Sequence, residues 1–138
     1  MDYFLLPQNK LIEEGQRIEV ASLMTGQEHL VLMAMASRHA QYQAGVGKQG
    51  HQHWASRVGE LYRDMPDCHE FSEVANESWP DQDEAAAAIE AYNSWQQSPG
   101  HWGAVNGRCD FYGYAMCYRP QNRIWYACGV FAQMREQP

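Results

Sequence analysis

Residues 109–118 read Cys109-Asp110-Phe111-Tyr112-Gly113-Tyr114-Ala115-Met116-Cys117-Tyr118, and their alternation decides the fold class. Cys109, Phe111, Gly113, Ala115 and Cys117 fall on one side, and Asp110, Tyr112, Tyr114, Met116 and Tyr118 on the other, which is the period of two of a β-strand. A second run of aromatic and β-branched residues extends from Ile124 to Ala132, with Arg119-Pro120-Gln121-Asn122 as the loop between them. The two runs therefore form a hairpin. With Tyr118 opposite Arg123, Cys117 faces Ile124 and Cys128 faces Gly113. That register separates Cys117 and Cys128 by about 13 Å along the strands, beyond the roughly 7 Å that a disulfide tolerates between Cα atoms. Buried free thiols are the simpler reading of Cys68, Cys109, Cys117 and Cys128.

Upstream of the hairpin the period is helical. Thr25 and Glu28 have capping-box spacing before a helix over about 26–44, whose small apolar face is Leu30, Met33, Ala34, Ser37, Ala40 and Ala44, with Gly45 and Gly47 as its stop. A second helix is expected near 52–64, with Trp54, Val58, Leu61 and Met65 on one face and Pro66 after its end. Asp81 and Glu84 form another capping box before a third, whose stripe is Ala85, Ala88, Ile89, Tyr92 and Trp95 and which Ser98-Pro99-Gly100 breaks. Helices first and a hairpin last make an α+β domain. Residues 1–24 show no sustained period and read as an N-terminal arm, with the compact domain over 25–138.

The composition narrows the functions. The 138 residues suit one domain, and 45% hydrophobic against 20% charged residues is the balance of a folding chain. A net charge of -7 provides no positive excess for phosphates, which excludes nucleic acid and an anionic membrane as expected partners. Leu30 to Ala36, the longest apolar run, is far short of the roughly 20 residues of a transmembrane helix. Met1-Asp2-Tyr3-Phe4-Leu5-Leu6-Pro7 is not a signal peptide, which points to the cytoplasm or a particle such as a virion rather than to secretion.

Six histidines invite a metal site. In His51-Gln52-His53 the rings share a side only in a strand, so that spacing carries little. His51, Glu73 and His101 each sit at an element boundary, where loops present functional groups; the alternative is three unrelated surface residues. His39 lies mid-helix and reads as a packed residue. Five tryptophans could line a carbohydrate groove, although Trp54 and Trp95 fall on core stripes. Ser98, three residues before His101, is more simply part of a helix stop than a nucleophile.

Arg38-His39-Ala40, then Gly50-His51 followed by Trp54 and Arg57, then Ser72-Glu73-Val74-Ala75, Trp95-Gln96-Gln97-Ser98-Pro99-Gly100-His101 and Tyr126-Ala127-Cys128-Gly129-Val130-Phe131 resemble the motifs of the cysteine-rich secretory protein, antigen 5 and pathogenesis-related superfamily, the CAP or SCP domains, in its bacterial branch. The resemblance covers about 26–132. It implies a three-layer α-β-α sandwich with a central antiparallel sheet and a cavity lined by His51, Glu73 and His101, with Trp102 at its rim. Ser98 stands where the animal branch has a second glutamate. Two imidazoles and a carboxylate can hold Zn²⁺ with an open position, or can form a hydrogen-bonded cluster that organises a groove. Since this fold has no single activity, the resemblance implies a non-catalytic binding or interaction module taking a small ligand or peptide. One alternative is a metal-dependent hydrolase with Glu73 as ligand or general base. Another is a structural component of a multiprotein particle, docked on a protein partner through the arm.

Overall fold

The computed structural model describes residues 4–6, 9–18 and 20–136. The hairpin is its centre: β4 (Phe111–Arg119) and β5 (Ile124–Met134) pair antiparallel. Ahead of it come β1 (Phe4–Leu6), α1 (Asn9–Ile18), α2 (Ala21–Thr25), β2 (Gln27–Glu28), α3 (Leu30–Val46), α4 (Trp54–Asp64), β3 (Cys68–Glu77), α5 (Glu84–Gln96) and α6 (Pro99–Val105). The sheet runs β1-β4-β5-β3, with β2 pairing parallel to β4 beside β1. The domain is α+β, with a mixed sheet.

The hairpin register is two residues from the expected one, which keeps every side chain on its expected sheet face. Tyr118 lies opposite Trp125 and Arg119 opposite Ile124, so Cys117 faces Tyr126 and Cys128 faces Ala115. The loop is centred one residue later because Arg123, not Arg119, leaves the strand. Arg123 takes a left-handed φ of 60° and donates its N–H to the Arg119 carbonyl at 2.8 Å, while Asn122 Oδ1 accepts from Ile124 N–H at 3.2 Å. Cys117 and Cys128 are thus diagonal neighbours on one sheet face, yet all four cysteines are free and buried.

Each sheet face buries its own cluster. Ala115, Cys117, Tyr126, Cys128, Val130 and Ala132 pack with Leu32, Met35, Ala36, Ala40 and Ala44 of α3 and Leu61 of α4. The opposite residues, including Tyr112, Tyr114, Met116, Trp125 and Phe131, pack with Ala88, Tyr92 and Trp95 of α5 and Val105 of α6. Tyr112 and Tyr114 are therefore core, and Tyr118 is partly buried against the same cluster. Gly113 lets α3 lie directly on the sheet: a Cβ there would stand 2.5 Å from the Leu32 carbonyl carbon.

Two helix starts differ from expectation. Thr25 closes α2 with its hydroxyl donating to the Ala21 carbonyl, and α3 starts after His29, whose Nδ1 accepts from Val31 N–H at 3.1 Å. A two-residue strand between them takes Gln27 and Glu28 out of any cap. Asp83 rather than Asp81 caps α5, accepting from Ala86 N–H at 2.8 Å; Asp81 is left-handed, with φ 64°. The buried face of α3 is also rotated, to Leu32, Met35, Ala36, His39, Ala40, Gln43 and Ala44, leaving Leu30 79% exposed. Its end, with Gly47 at φ 72° as the left-handed cap, is as expected.

The described part of the expected arm is built into the domain. β1 pairs with β4 through Phe4↔Tyr118 to Leu6↔Met116, and Val20 and Leu23 are buried in the α5-side cluster. The pairing, and the burial of Ser22 and Leu23 on the short helix α2, depend on β4 and the core, which is why this segment has no period of its own.

Candidate functional site

Glu73 lies on β3, an edge strand whose successive side chains alternate between sheet faces. Its carboxylate is 1% exposed and turned to the α3–α4 side. A carboxylate there is tolerable only if paired and hydrogen-bonded, and Arg57 of α4 supplies that pairing: Nη1 donates to Oε2 and Nη2 to Oε1 at 2.9 Å. This is the bidentate fork that suits a guanidinium to a carboxylate. Arg57 is itself held, with Nε and Nη2 donating to the Gln52 carbonyl at 3.1 and 2.9 Å and its guanidinium 5.2 Å from the Trp54 ring centre.

Three more groups converge on Glu73. His51, in the loop before α4, donates from Nδ1 to Oε1 at 3.0 Å. The Cys128 thiol, on the neighbouring strand, donates to Oε2 at 3.6 Å. His39 of α3 has Nε2 3.7 Å from Oε1, but its close contact is 2.6 Å to the Gly50 carbonyl, to which it donates. Gln43, one turn along α3, accepts from Gly50 N–H and donates to the Ala127 carbonyl. Thus α3 fixes the loop that carries His51.

Burial raises the Glu73 pKa, but the Arg57 hydrogen bonds, the charge of His39, the His51 hydrogen bond and the charge of Arg57 outweigh it, and the carboxyl is held below its ordinary range. Burial lowers the His39 pKa against the opposing pull of Gly50 and Glu73, so of the two cations beside Glu73 the permanent one is Arg57. Burial, and then the charge of His51, lower the His101 pKa.

Of the residues expected to act together, His51 and Glu73 are hydrogen-bonded, and His101 on α6 joins through His51, its ring centre 6.0 Å away with the planes tilted by 53°. His51 remains 46% exposed on its side chain. Because Nδ1 carries the proton given to Glu73, Nε2 keeps its lone pair. Trp102 is half-buried against the cluster containing Tyr92 and Trp95. His53 diverges from His51, its Nε2 3.2 Å from the Tyr42 hydroxyl. Among the described residues, no group of three or more His, Cys, Asp or Glu is arranged to hold a metal ion. The lone pairs of Glu73 are directed to Arg57 and His51.

Sequence reasoning missed the role of Arg57, His39 and Cys128. In the sequence, Arg57 stands out only as part of the motif that resembles the CAP domains. The one signal in its favour was that it lies on the same short segment as His51, one helical turn past Trp54.

No family model matches this chain, and no curated protein matches it. Among solved structures it is similar to an outer surface protein from Borrelia burgdorferi, with a TM-score of 0.68 over 97% of this chain and 100% of that one, at 13% sequence identity. That likeness shows a shared fold. Among the described residues, no helix is long and apolar enough to cross a membrane.

Proposed function

We propose that this chain is a non-catalytic CAP-like binding module in which Glu73 organises the site and the imidazoles of His51 and His101 face the ligand. The three-layer α-β-α reading is supported by the two clusters on opposite sheet faces. The convergence of His51, Arg57 and Glu73, carried by two separate motifs of the resemblance, supports the family reading.

The observation that carries the non-catalytic reading is the Arg57 fork on Glu73. A general base needs a free lone pair and a pKa near the working pH; Glu73 is fully engaged, and its pKa lies on the acid side. A metal ligand needs the same lone pair, and a permanent cation stands where the metal charge would be. What Glu73 does do is fix His51 in the Nδ1–H tautomer, the relation by which a carboxylate orients an imidazole toward a ligand. His51 Nε2 can then accept a hydrogen bond from a peptide N–H or a hydroxyl.

The same free Nε2 beside His101 favours a second reading, a two-imidazole zinc site with Glu73 behind it as orienting group rather than ligand. Docking through a free arm receives less support, since β1 and Leu23 use that segment within the domain. Calorimetric titration with zinc chloride at neutral pH, on the wild type and on His51→Ala/His101→Ala, tests the proposal. Two protein ligands should give no binding tighter than about 1 μM. One-to-one binding well below that, lost in the double variant, would overturn the non-metal reading.

A further inference from the structure

Trp79 is 72% exposed, whereas Trp95 and Trp125 are buried. Its mount is rigid. Ser78 N–H donates to the Trp125 carbonyl and Ser78 Oγ accepts from Trp125 N–H, both at 2.9 Å, and Trp79 N–H donates to Glu90 Oε1 at 2.8 Å. A large aromatic surface is thus carried into water on a fixed backbone, and ordering it on contact costs only the two side-chain torsions of the tryptophan.

Beside it, between the end of β3 and α5, lies a cleft of about 610 Å³ lined by Asn76, Trp79, Glu90, Asn93, Ser94 and Gln97 among others. This is within the roughly 300–1,000 Å³ range of ligand sites. Asn93 on α5 and Gln97, the C-cap residue whose N–H donates to the Asn93 carbonyl, are one turn apart and so share a face. The lining holds two carboxylates, Glu77 and Glu90, and no Lys or Arg, so it disfavours an anion. A cation could use the Trp79 face and the carboxylates, but one Glu90 oxygen is already spent on Trp79 N–H. Two asparagines, a glutamine and a serine, each able to donate and accept, would be left idle. A ligand with an apolar face and a rim of hydroxyls uses all of them.

We propose that this cleft binds a neutral saccharide, with one pyranose ring stacked on the Trp79 indole and its hydroxyls paired with Asn93, Gln97 and the free oxygen of Glu90. None of these residues belongs to the Glu73 cluster, so the proposal stands or fails apart from that site.

The test is a set of ¹H–¹⁵N spectra of the full chain during titration with chitotriose, cellotriose and maltotriose to about 20 mM, with tetramethylammonium chloride as a parallel arm. The Trp79 indole resonance is identified by its loss in Trp79→Ala, an exposed substitution whose remaining spectrum reports that the fold is kept. At least one trisaccharide should move the Trp79 indole and the Asn93 and Gln97 side-chain amides saturably. Its affinity should fall about tenfold or more in Trp79→Ala, with Trp79→Phe retaining part of it. The proposal is overturned if no trisaccharide moves these resonances, if the shifts persist in Trp79→Ala, or if only tetramethylammonium produces them.

Discussion

Replacing Arg57 with alanine should destabilise the domain more than any other change of a half-exposed α4 residue. The substitution removes the fork on Glu73 and two donors to the Gln52 carbonyl, and leaves a carboxylate whose side chain is 1% exposed with His51 as its main remaining donor. Breaking a buried ion pair from one side costs about 3–5 kcal/mol, because the partner keeps its desolvation penalty. The lost Gln52 bonds add about 1 kcal/mol, as Arg57 is part-buried there and water replaces some of their value. Against a total stability of about 5–15 kcal/mol for a domain, the sum is a large fraction. The double variant Arg57→Met/Glu73→Gln separates this account from simple loss of packing: with no buried charge left it should recover about 2 kcal/mol or more of the loss. Urea unfolding followed by tryptophan fluorescence measures both. A loss below about 1 kcal/mol for Arg57→Ala, or a double variant no more stable than the single one, would refute the claim that Arg57 neutralises a desolvated Glu73.

Three further outcomes follow from the same geometry. The Glu73 carboxyl is held below its ordinary pKa, so its contribution to stability is complete above the unfolded value near 4.3 and is lost as pH falls through the folded one; urea midpoints of Glu73→Gln between neutral and acid pH should show a shallower acid loss than the wild type. Gly113→Ala must push α3 off the sheet, since its Cβ would meet α3 backbone rather than a flexible side chain, and thermal unfolding should register a loss of about 1–3 kcal/mol. Burial raises the thiol pKa of Cys109 to about 12 and of Cys117 to about 11, and all four cysteines are buried and free; the native protein should therefore resist a thiol-reactive disulfide reagent at mildly alkaline pH and release four equivalents only on denaturation.

The elements that could be read in advance are those whose pattern is local. The hairpin showed itself because side chains alternate in kind along β4, with Gly113, Ala115 and Cys117 toward α3 and Tyr112, Tyr114 and Met116 toward α5. The helix α4 followed from spacing alone, as did Ala88, Tyr92 and Trp95 of the α5 stripe, whereas Ala85 is exposed and Ile89 only partly buried because the buried face is rotated to take in Ala87 and Ala91. The face of α3 did not, because two of its buried positions, His39 and Gln43, are polar. Their burial is stabilised by hydrogen bonds to Gly50 and Ala127, residues in other elements that no local pattern contains. The same holds for β1 and for Val20 and Leu23, whose places are set by β4 and the α5 side of the core.

The site follows the same division, with a chemical consequence. His51, Glu73 and His101 are picked out by their places at element boundaries and by the motifs that resemble the CAP domains, and neither says whether a carboxylate is free to ligate a metal. That depends on Arg57, a residue whose helical position is equally suited to solvent and which turns inward because Glu73 is there. A buried carboxylate with a guanidinium fork is an anchor; the same carboxylate beside two imidazoles and water is a ligand or base. Only the fork distinguishes the two here, and it does so before any ligand is considered: with the Cys128 thiol it occupies Oε2 and with His51 Nδ1 it occupies Oε1, and of these donors His51 is the one that reaches the exposed side of the site. If that reasoning is right, Glu73→Gln should cost more in ligand affinity by releasing the His51 tautomer than in any chemistry of its own.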